Sequence, residues 1–429
     1  MKVAFIVEKF PSLSETFILN QIIGLISRGH EVDIYAIHPD ETSKVHPNVN
    51  KYHLLEHTYY QPHLPQNYFW RFFKGLILIL ANFYKAPLVL IRSLNCFKYG
   101  KRALSLRLLY SVIPLLDKQA YDIIHCQFGM LGIEGVILRD INAIQGKIIT
   151  SFRGYDISWY VKEYGEEVYQ GLFLKGDFFL ANCEFFRQKA IKIGCDDKKI
   201  IVHGSGIDCS RFPFKARQVH PDGIIRIATT GRLVEKKGIE YAIRAIGKLA
   251  TIHENIEYNI IGDGYLKEQF LQLIESLNLA EKVKLLGWKT QPEIIDILGN
   301  THIFIAPSVT ADDGNQDAPV NTLKEAMAMG LPVIGTFHGG IPELVQDGIS
   351  GFLVPERDGD AIAEKLSYFI QHPEIWEQMG KAGCDYVAKH YDTNKLNDEL
   401  VKIYQQVATN NFNYYQEAIL IPKMNSEYS

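Results

Sequence analysis

TADDGNQDAPVNTLKEAMAMGLPVIGTFHGGIPELV, residues 310–345, decides how the rest of the chain reads. The apolar run at 303–306 before it is a strand, and a polar loop holding Asp312, Asp313 and Asp317 follows. A helix over 320–329 comes next, opening with Asn321 and Thr322 and carrying Glu325. A Gly-Leu-Pro turn, a strand at 333–336 and a loop with Gly339 and Gly340 complete the unit. Strand, loop and helix N-terminus make a phosphate site, because unpaired amides and the helix dipole point at the anion. Asp317 and Glu325 bracket that site with seven residues between them. An ionised carboxylate only accepts hydrogen bonds, so sugar or ribose hydroxyls suit both better than phosphate does. Helix capping by Asp317 with a solvated Glu325 is the structural alternative.

The same alternation recurs on both sides. Residues 224–230 read as a strand running into GRLVEKKG, where Arg232 and Lys237 stand five apart across a strand-to-helix loop. Two cations at the C-terminal edge of a parallel strand form a pyrophosphate clamp, the arginine by forked hydrogen bonds and the lysine as a point charge. A strand at 256–261 ends in the tight turn Gly262-Asp263-Gly264, and another at 283–286 ends in Gly287-Trp288, a loop placed to border a base. HGSGIDCSRF at 203–212 and the residues after it mark the end of one domain and a linker. Beyond 345 come GFLV at 351–354, a helix from Asp360 and a last helix at 394–406 ahead of a tail.

The first half opens with a strand at 3–7, the loop FPSLSET and a helix from Glu15, with Ser14 as its N-cap. A strand at 31–37 follows. The opening is therefore βαβ, and Ser12, Ser14 and Glu15 lie on the loop where such sheets bind ligands. No G-x-G-x-x-G occurs there, which removes a dinucleotide fingerprint. Strands at 121–126, 147–151, 178–182 and 199–203 continue the set, and His125, Arg153 and Asp156 read as strand-end residues of the same crevice. For His125, a buried, hydrogen-bonded ring is the alternative.

Residues 57–116 break the pattern. They hold no Asp or Glu, but Arg71, Lys74, Lys85, Arg92, Lys98, Lys101, Arg102 and Arg107 lie among aromatic pairs and the runs LILIL and LVLI. Polar residues and Pro87 interrupt each apolar run, so no stretch of bilayer-spanning length is expected. Basic residues mixed with aromatics and leucines predict a surface that lies on anionic lipid. A pair of amphipathic core helices with snorkelling basic ends is the alternative.

Composition sets the outer limits. The 429 residues are 47% hydrophobic and 22% charged, enough for two or three domains with their own cores. A net charge of −4 argues against a nucleic-acid partner, which leaves a basic footprint. Six scattered cysteines without a CxxC pair predict neither a zinc ribbon nor a disulfide framework, and a reducing cytoplasm fits them. The opening apolar run is too short for a signal peptide's core.

Together these motifs resemble glycosyltransferase family 4, retaining enzymes that use nucleotide sugars and have the GT-B fold. The resemblance rests on Asp317, Glu325, Gly-Leu-Pro-Val at 330–333, Gly-Gly-Ile-Pro-Glu at 339–343 and Gly206-Ile207-Asp208. It is strongest over 225–355 and weakest over 50–115. It implies two Rossmann-like α/β domains, each a doubly wound parallel sheet, facing a cleft: an acceptor domain over 1–212 and a donor domain over 213–390. A C-terminal helix at 391–409 would cross back to the first domain, leaving a tail at 410–429. The implied reaction moves a sugar from a nucleotide diphosphate sugar to a hydroxyl with anomeric retention, using no metal and no cofactor. Asp312-Asp313 is the pair a metal would take, and cations that neutralise the diphosphate make one unnecessary.

The implied roles give the diphosphate to Arg232, Lys237 and the helix amides, the transferred sugar to Asp317 and the ribose to Glu325. Gly262, Asp263, Asn321, Thr322, Gly339 and Gly340 complete the donor site. Ser12, Ser14, Glu15, His125, Arg153 and Asp156 form the acceptor side. Two departures stand out: Asp317 replaces the usual Glu, and Arg153 replaces a common His. Arginine is a fixed cation where histidine passes a proton near neutrality. SETFI, FRGYD and DAPVNTLKEAMAMGLPV are most similar to bacterial enzymes of exopolysaccharide, capsule and lipopolysaccharide assembly. That similarity implies a lipid-linked saccharide acceptor and a peripheral place on the inner face of the cytoplasmic membrane. A nucleotide-sugar epimerase of the same fold and a non-catalytic sugar-nucleotide binder are the alternatives.

Overall fold

Short apolar runs, each closed by a polar loop and followed by an amphipathic helix, produce parallel strands buried on both faces. The computed structural model describes residues 1–12, 15–40, 46–118 and 120–411. Ser14, read above as a cap and an acceptor-side residue, and the tail beyond 411 lie outside the described residues. The first sheet comprises β1 (Lys2–Lys9), β2 (Glu31–His38), β3 (Thr58–Tyr60), β4 (Ile123–Gln127), β5 (Lys147–Phe152), β6 (Phe178–Ala181) and β7 (Ile200–Val202). Its order is β3-β2-β1-β4-β5-β6-β7. The second comprises β8 (Ile225–Thr230), β9 (Ile256–Ile261), β10 (Val283–Gly287), β11 (Ile303–Ala306), β12 (Val333–Thr336) and β13 (Gly351–Val354), ordered β10-β9-β8-β11-β12-β13. Neighbouring strands in both sheets are parallel.

Each sheet reverses direction beside its first strand, between β1 and β4 and between β8 and β11. Ligands of open α/β sheets sit beyond the strand ends at such reversals. The fold therefore places residues 10–12 and Glu15, and the loop at 231–238 with the loop and helix after β11, at the two switch points.

Alternation along β1 shows how the first sheet is covered. Val3, Phe5 and Val7 pack with Leu400, Ile403, Tyr404 and Val407 of the last helix, Thr393–Thr409, whereas Ala4 and Ile6 face Leu109 and Val112. The C-terminal helix thus crosses back to the first half. Each of these four buried side chains contributes about 1.5–3 kcal/mol, against roughly 0–1 kcal/mol for the surface pair Arg28–Asp398. Packing holds the crossing.

The first helix of the 57–116 segment is folded inside out. The helix Tyr68–Asn82 buries Arg71 and Gly75, while Tyr68, Trp70, Phe72, Ile77 and Leu80 point outward. Farther on, Tyr84, Leu88, Ile91 and Leu104 are exposed, and Phe97 is 100% so. The core-helix alternative fails for Tyr68–Asn82 but holds for Arg107–Val112, which buries Leu108, Leu109 and Val112. Arg71 is taken inward because the carbonyls of Pro65, Gln66 and Ser105 accept its guanidinium, and Gly75 lets the helix approach Leu106 and Leu109. Several cations read as lipid-facing are engaged by protein: Lys74 by the His63 carbonyl, Lys85 by Asp117, Lys98 by Asp140 and Arg102 by Glu134. Arg92, Lys101 and Arg107 have no ion pair among the described residues. The three-residue edge strand β3 was not expected, being too short to show alternation. No helix among the described residues is long and apolar enough to cross a membrane.

Candidate active site

The loops beyond β8, β9, β11 and β12 meet because glycines let their backbones touch. A Cβ on Gly262 (φ +142°) would stand 1.9 Å from the Gly231 carbonyl oxygen, and one on Gly339 (φ +52°) 2.0 Å from that of Asp317. Only glycine fits either place. Gly340 donates its amide to the Asp317 carbonyl at 3.3 Å. Asp263 is exposed, its carboxylate accepting from the Gly264 amide at 2.8 Å with Lys267 3.6 Å away. These residues shape the loops that surround the site.

Asp317 is the centre of a charged cluster. Its Oδ2 accepts from Lys237 Nζ at 2.7 Å and Ser308 Oγ at 3.1 Å, and its Oδ1 pairs with Lys236 Nζ at 3.0 Å. Its amide donates to His338 Nε2 at 2.9 Å, which leaves the ring proton on Nδ1, 2.6 Å from Glu356. Burial alone would raise the Asp317 pKa, but Lys237 and Lys236 outweigh it and hold the carboxyl well below the usual range. Asp317 is therefore not the helix cap. The helix Asn321–Ala328 starts after Val320 with no side-chain cap. Its first turn is tied to β8 by Thr322 Oγ1, which donates to the Thr230 carbonyl at 2.9 Å. Arg232 is exposed on the same side, next to Lys237.

Glu325 is not solvated either. Burial pushes its carboxyl up to about 7, opposed by Lys324. Lys324 is itself buried, lowered to about 7, and donates to the Ser205 carbonyl at 2.6 Å and to Asn321 Oδ1 at 3.1 Å. The sequence reading missed Lys236, Ser308, His338, Glu356 and Lys324. Only Lys236 carried a visible signal, as the neighbour of Lys237. Asp312 faces Arg357 at 3.6 Å, and Asp313 accepts from the Asn315 amide at 2.8 Å.

On the facing half, three residues assigned to the acceptor side are interior groups. His125 lies two residues inside β4, which continues to Gln127, so its ring meets the crossing helix rather than the crevice. Tyr404 OH and Ser151 Oγ bond its two nitrogens at 2.5 and 2.7 Å, and burial drives its pKa well down. The buried-ring alternative holds. Asp156 is fully buried and accepts from the amides of Gly129, Arg153 and Gly154 at 2.7–3.0 Å, anchoring the strand-end loop. Arg153 is also buried, donating to Ser205 Oγ and Gln127 Oε1 at 3.0 and 2.9 Å, and burial lowers it to about 10.

Two atoms nearby have no hydrogen-bond partner among the described residues: Arg153 Nε and Glu15 Oε2. Glu15 stands on the β1 loop beside half-buried Ser12, its carboxyl raised to about 7 by burial and by Glu8. It remains available to a ligand hydroxyl.

The halves touch across this crevice. Glu343 accepts from the amides of Glu184 and Phe185 at 2.7 and 2.8 Å, capping a helix of the first half from the second. Lys162 Nζ donates to the Asp312 carbonyl at 2.7 Å, and the Gln316 amide to Ser158 Oγ at 3.3 Å. The loop that presents Asp317 is thus held from both sides.

Comparisons with known proteins agree with this layout. The family described as Glycosyl transferases group 1 matches residues 210–385, and Glycosyltransferase Family 4 matches residues 81–211. The chain is 33% identical over 411 residues to the putative colanic acid biosynthesis glycosyltransferase WcaL of Salmonella typhimurium, covering 95% of this chain and 100% of the relative. It is 36% identical over 371 residues to the amylovoran biosynthesis glycosyltransferase AmsK of Erwinia amylovora, covering 85% and 90%. The Anabaena protein HepE, solved with UDP-glucose, superposes with a TM-score of 0.67 at 17% identity over 95% of this chain and 100% of its own. That last likeness shows the fold, two facing parallel-sheet domains of the GT-B type.

Proposed function

This chain belongs to the family 4 glycosyltransferases of group 1, and on that premise we propose that it transfers a sugar from a nucleotide diphosphate sugar to a lipid-linked saccharide during exopolysaccharide assembly. Transfer proceeds with anomeric retention and needs no metal. The observation that carries the donor part is the grouping of Arg232 and Lys237 with the uncapped start of the helix Asn321–Ala328 at a switch point. Negative charge grows on the leaving diphosphate in the transition state, and preorganised cations and amides stabilise it there.

Asp317 has a narrower part than a nucleophile. A carboxylate offers about four acceptor positions, and Lys236, Lys237 and Ser308 occupy three. The fourth, on Oδ1, is left for a hydroxyl of the transferred sugar. The carboxylate meanwhile fixes Lys237 where the diphosphate arrives. On this reading Glu325, its carboxyl raised to about 7 by burial, shares a proton with the donor ribose. With Asp317 held by Lys236, Lys237 and Ser308 rather than free to attack, same-face transfer guided by the leaving diphosphate is the mechanism that fits.

Lipid docking is supported by the outward aromatic and leucine face between Tyr68 and Leu104. On this reading the face lies on a membrane surface, with anionic lipid meeting Arg92, Lys101 and Arg107. The test is transfer from a labelled donor, with the product anomer read by NMR and the rate read with and without EDTA. Retained configuration and an unchanged rate in EDTA are expected. Inversion, or loss of turnover on chelation, contradicts the mechanism.

A further inference from the structure

A cavity of about 500 Å³ lies between the C-terminal ends of β1 and β2 and the segment that carries the exposed aromatic face. Its size falls within the roughly 300–1,000 Å³ of small-molecule sites. Glu8, His38, Arg102, Arg107, Met130 and Glu134 are among its lining residues. None of them belongs to the donor cluster around Asp317.

The position of the cavity is informative at both ends. At its inner end, Glu8, next to the last residue of β1, lies near enough to Glu15 to raise that carboxyl. At its outer end, Arg102 and Arg107 flank Leu104, which is exposed on the lipid-facing side. The chemistry sorts in the same direction. Glu8 and Glu134 are hydroxyl acceptors, and Met130 offers an apolar wall. Arg102 is paired with Glu134 at 3.1 Å, whereas Arg107 is exposed and has no ion pair among the described residues. A guanidinium without a carboxylate suits a phosphate oxygen pair.

We propose that this cavity is the acceptor's saccharide site, holding the sugar between Glu8 and Glu134 while Arg107 meets the phosphate that links it to a lipid tail. The tail then lies along the face from Tyr68 to Leu104. This inference rests on the lipid-linked acceptor reading above. It moves acceptor recognition away from His125 and Asp156 to a site at the membrane-facing edge of the first sheet.

The test uses the full chain, a labelled nucleotide sugar that binds it, and the butanol-extractable lipid-linked saccharides of the cells in which the protein occurs. Label entering the butanol phase is followed for the wild type, Arg107→Gln and Met130→Trp. Arg107→Gln is expected to raise the half-saturating acceptor about tenfold, the loss of a charge-assisted hydrogen bond, with kcat unchanged. Met130→Trp fills the cavity and is expected to do the same or worse. Both variants should keep the wild-type melting shift with donor nucleotide. If the wild type transfers label and both variants match it, the cavity assignment is overturned. If the wild type labels no lipid at all, the lipid-linked acceptor reading falls, and this site with it.

Discussion

The loop around Asp317 and the helix Tyr68–Asn82 treat charge in opposite ways. Around Asp317, two lysines and a carboxylate are gathered inside, and each charge finds a partner within 3.0 Å. In the helix, one arginine is drawn inward onto backbone carbonyls while aromatic and leucine side chains are left outside. The first arrangement is complete within the protein except where a diphosphate would bring its own charge. The second leaves an apolar face in solvent. On the proposed function, one region meets an anion in water and the other a lipid surface.

The sharpest way to break the contrast is to remove the exposed cation of the donor loop. Arg232→Ala is expected to lower kcat/KM about 10²–10³-fold without changing vesicle binding, since a preorganised donor to the leaving group is worth that much. A loss below threefold in a steady-state transfer assay removes Arg232 from the diphosphate site. On the other side, Trp70→Ser, Leu80→Ser and Phe97→Ser combined should weaken binding to phosphatidylglycerol vesicles at least about 100-fold, at about 1.5–3 kcal/mol per embedded side chain. Those side chains are already in solvent, so the urea midpoint should stay put. A flotation assay with no change refutes the lipid surface.

Charge on that surface gives a smaller effect. Arg92→Gln with Lys101→Gln should lower vesicle affinity roughly 30-fold, at about 1 kcal/mol for each unpaired cation. Lys85→Gln with Lys98→Gln should change it less than about threefold, because Asp117 and Asp140 already neutralise them. Equal effects from the two pairs would mean that the carboxylates release their lysines at the membrane.

The smallest effect is a pH dependence. The folded pKa of Glu325, about 7, lies above the ordinary value of 4.5. The stability linked to its proton is full below about pH 4.5 and is lost as pH rises through 7. Glu325→Gln should therefore gain stability relative to wild type between pH 5 and pH 8, read as a shift of the urea midpoint. A constant difference across that range means that Glu325 is ionised throughout.

Much of the fold was legible because each strand is a short apolar run with a polar stop, and twelve of the thirteen were read that way. The edge strand Thr58–Tyr60 was not, since three residues show no period. Arg232, Lys237, Asp317 and Glu325 could be read because their spacing is local. Ser308, His338 and Glu356 could not, since separate loops bring them to Asp317. His125 was read as a strand-end residue, but β4 runs one residue past the expected end at 126, to Gln127, and the ring lies in the core. In the 57–116 segment, composition pointed to a basic and aromatic surface, but periodicity alone did not say which face of the helix turned inward. Arg71 decided that, through carbonyls supplied by residues 65, 66 and 105.

The central claim is that the second half binds a nucleotide sugar through Arg232 and Lys237. Differential scanning fluorimetry of the wild type and Arg232→Ala against UDP-, GDP-, ADP-, dTDP- and CMP-sugars tests it most directly, because a ligand that binds only the folded state raises the melting temperature. The account predicts a rise with one nucleotide family and its loss in the variant. A wild type that shifts with no member, or a variant that shifts as the wild type does, contradicts it.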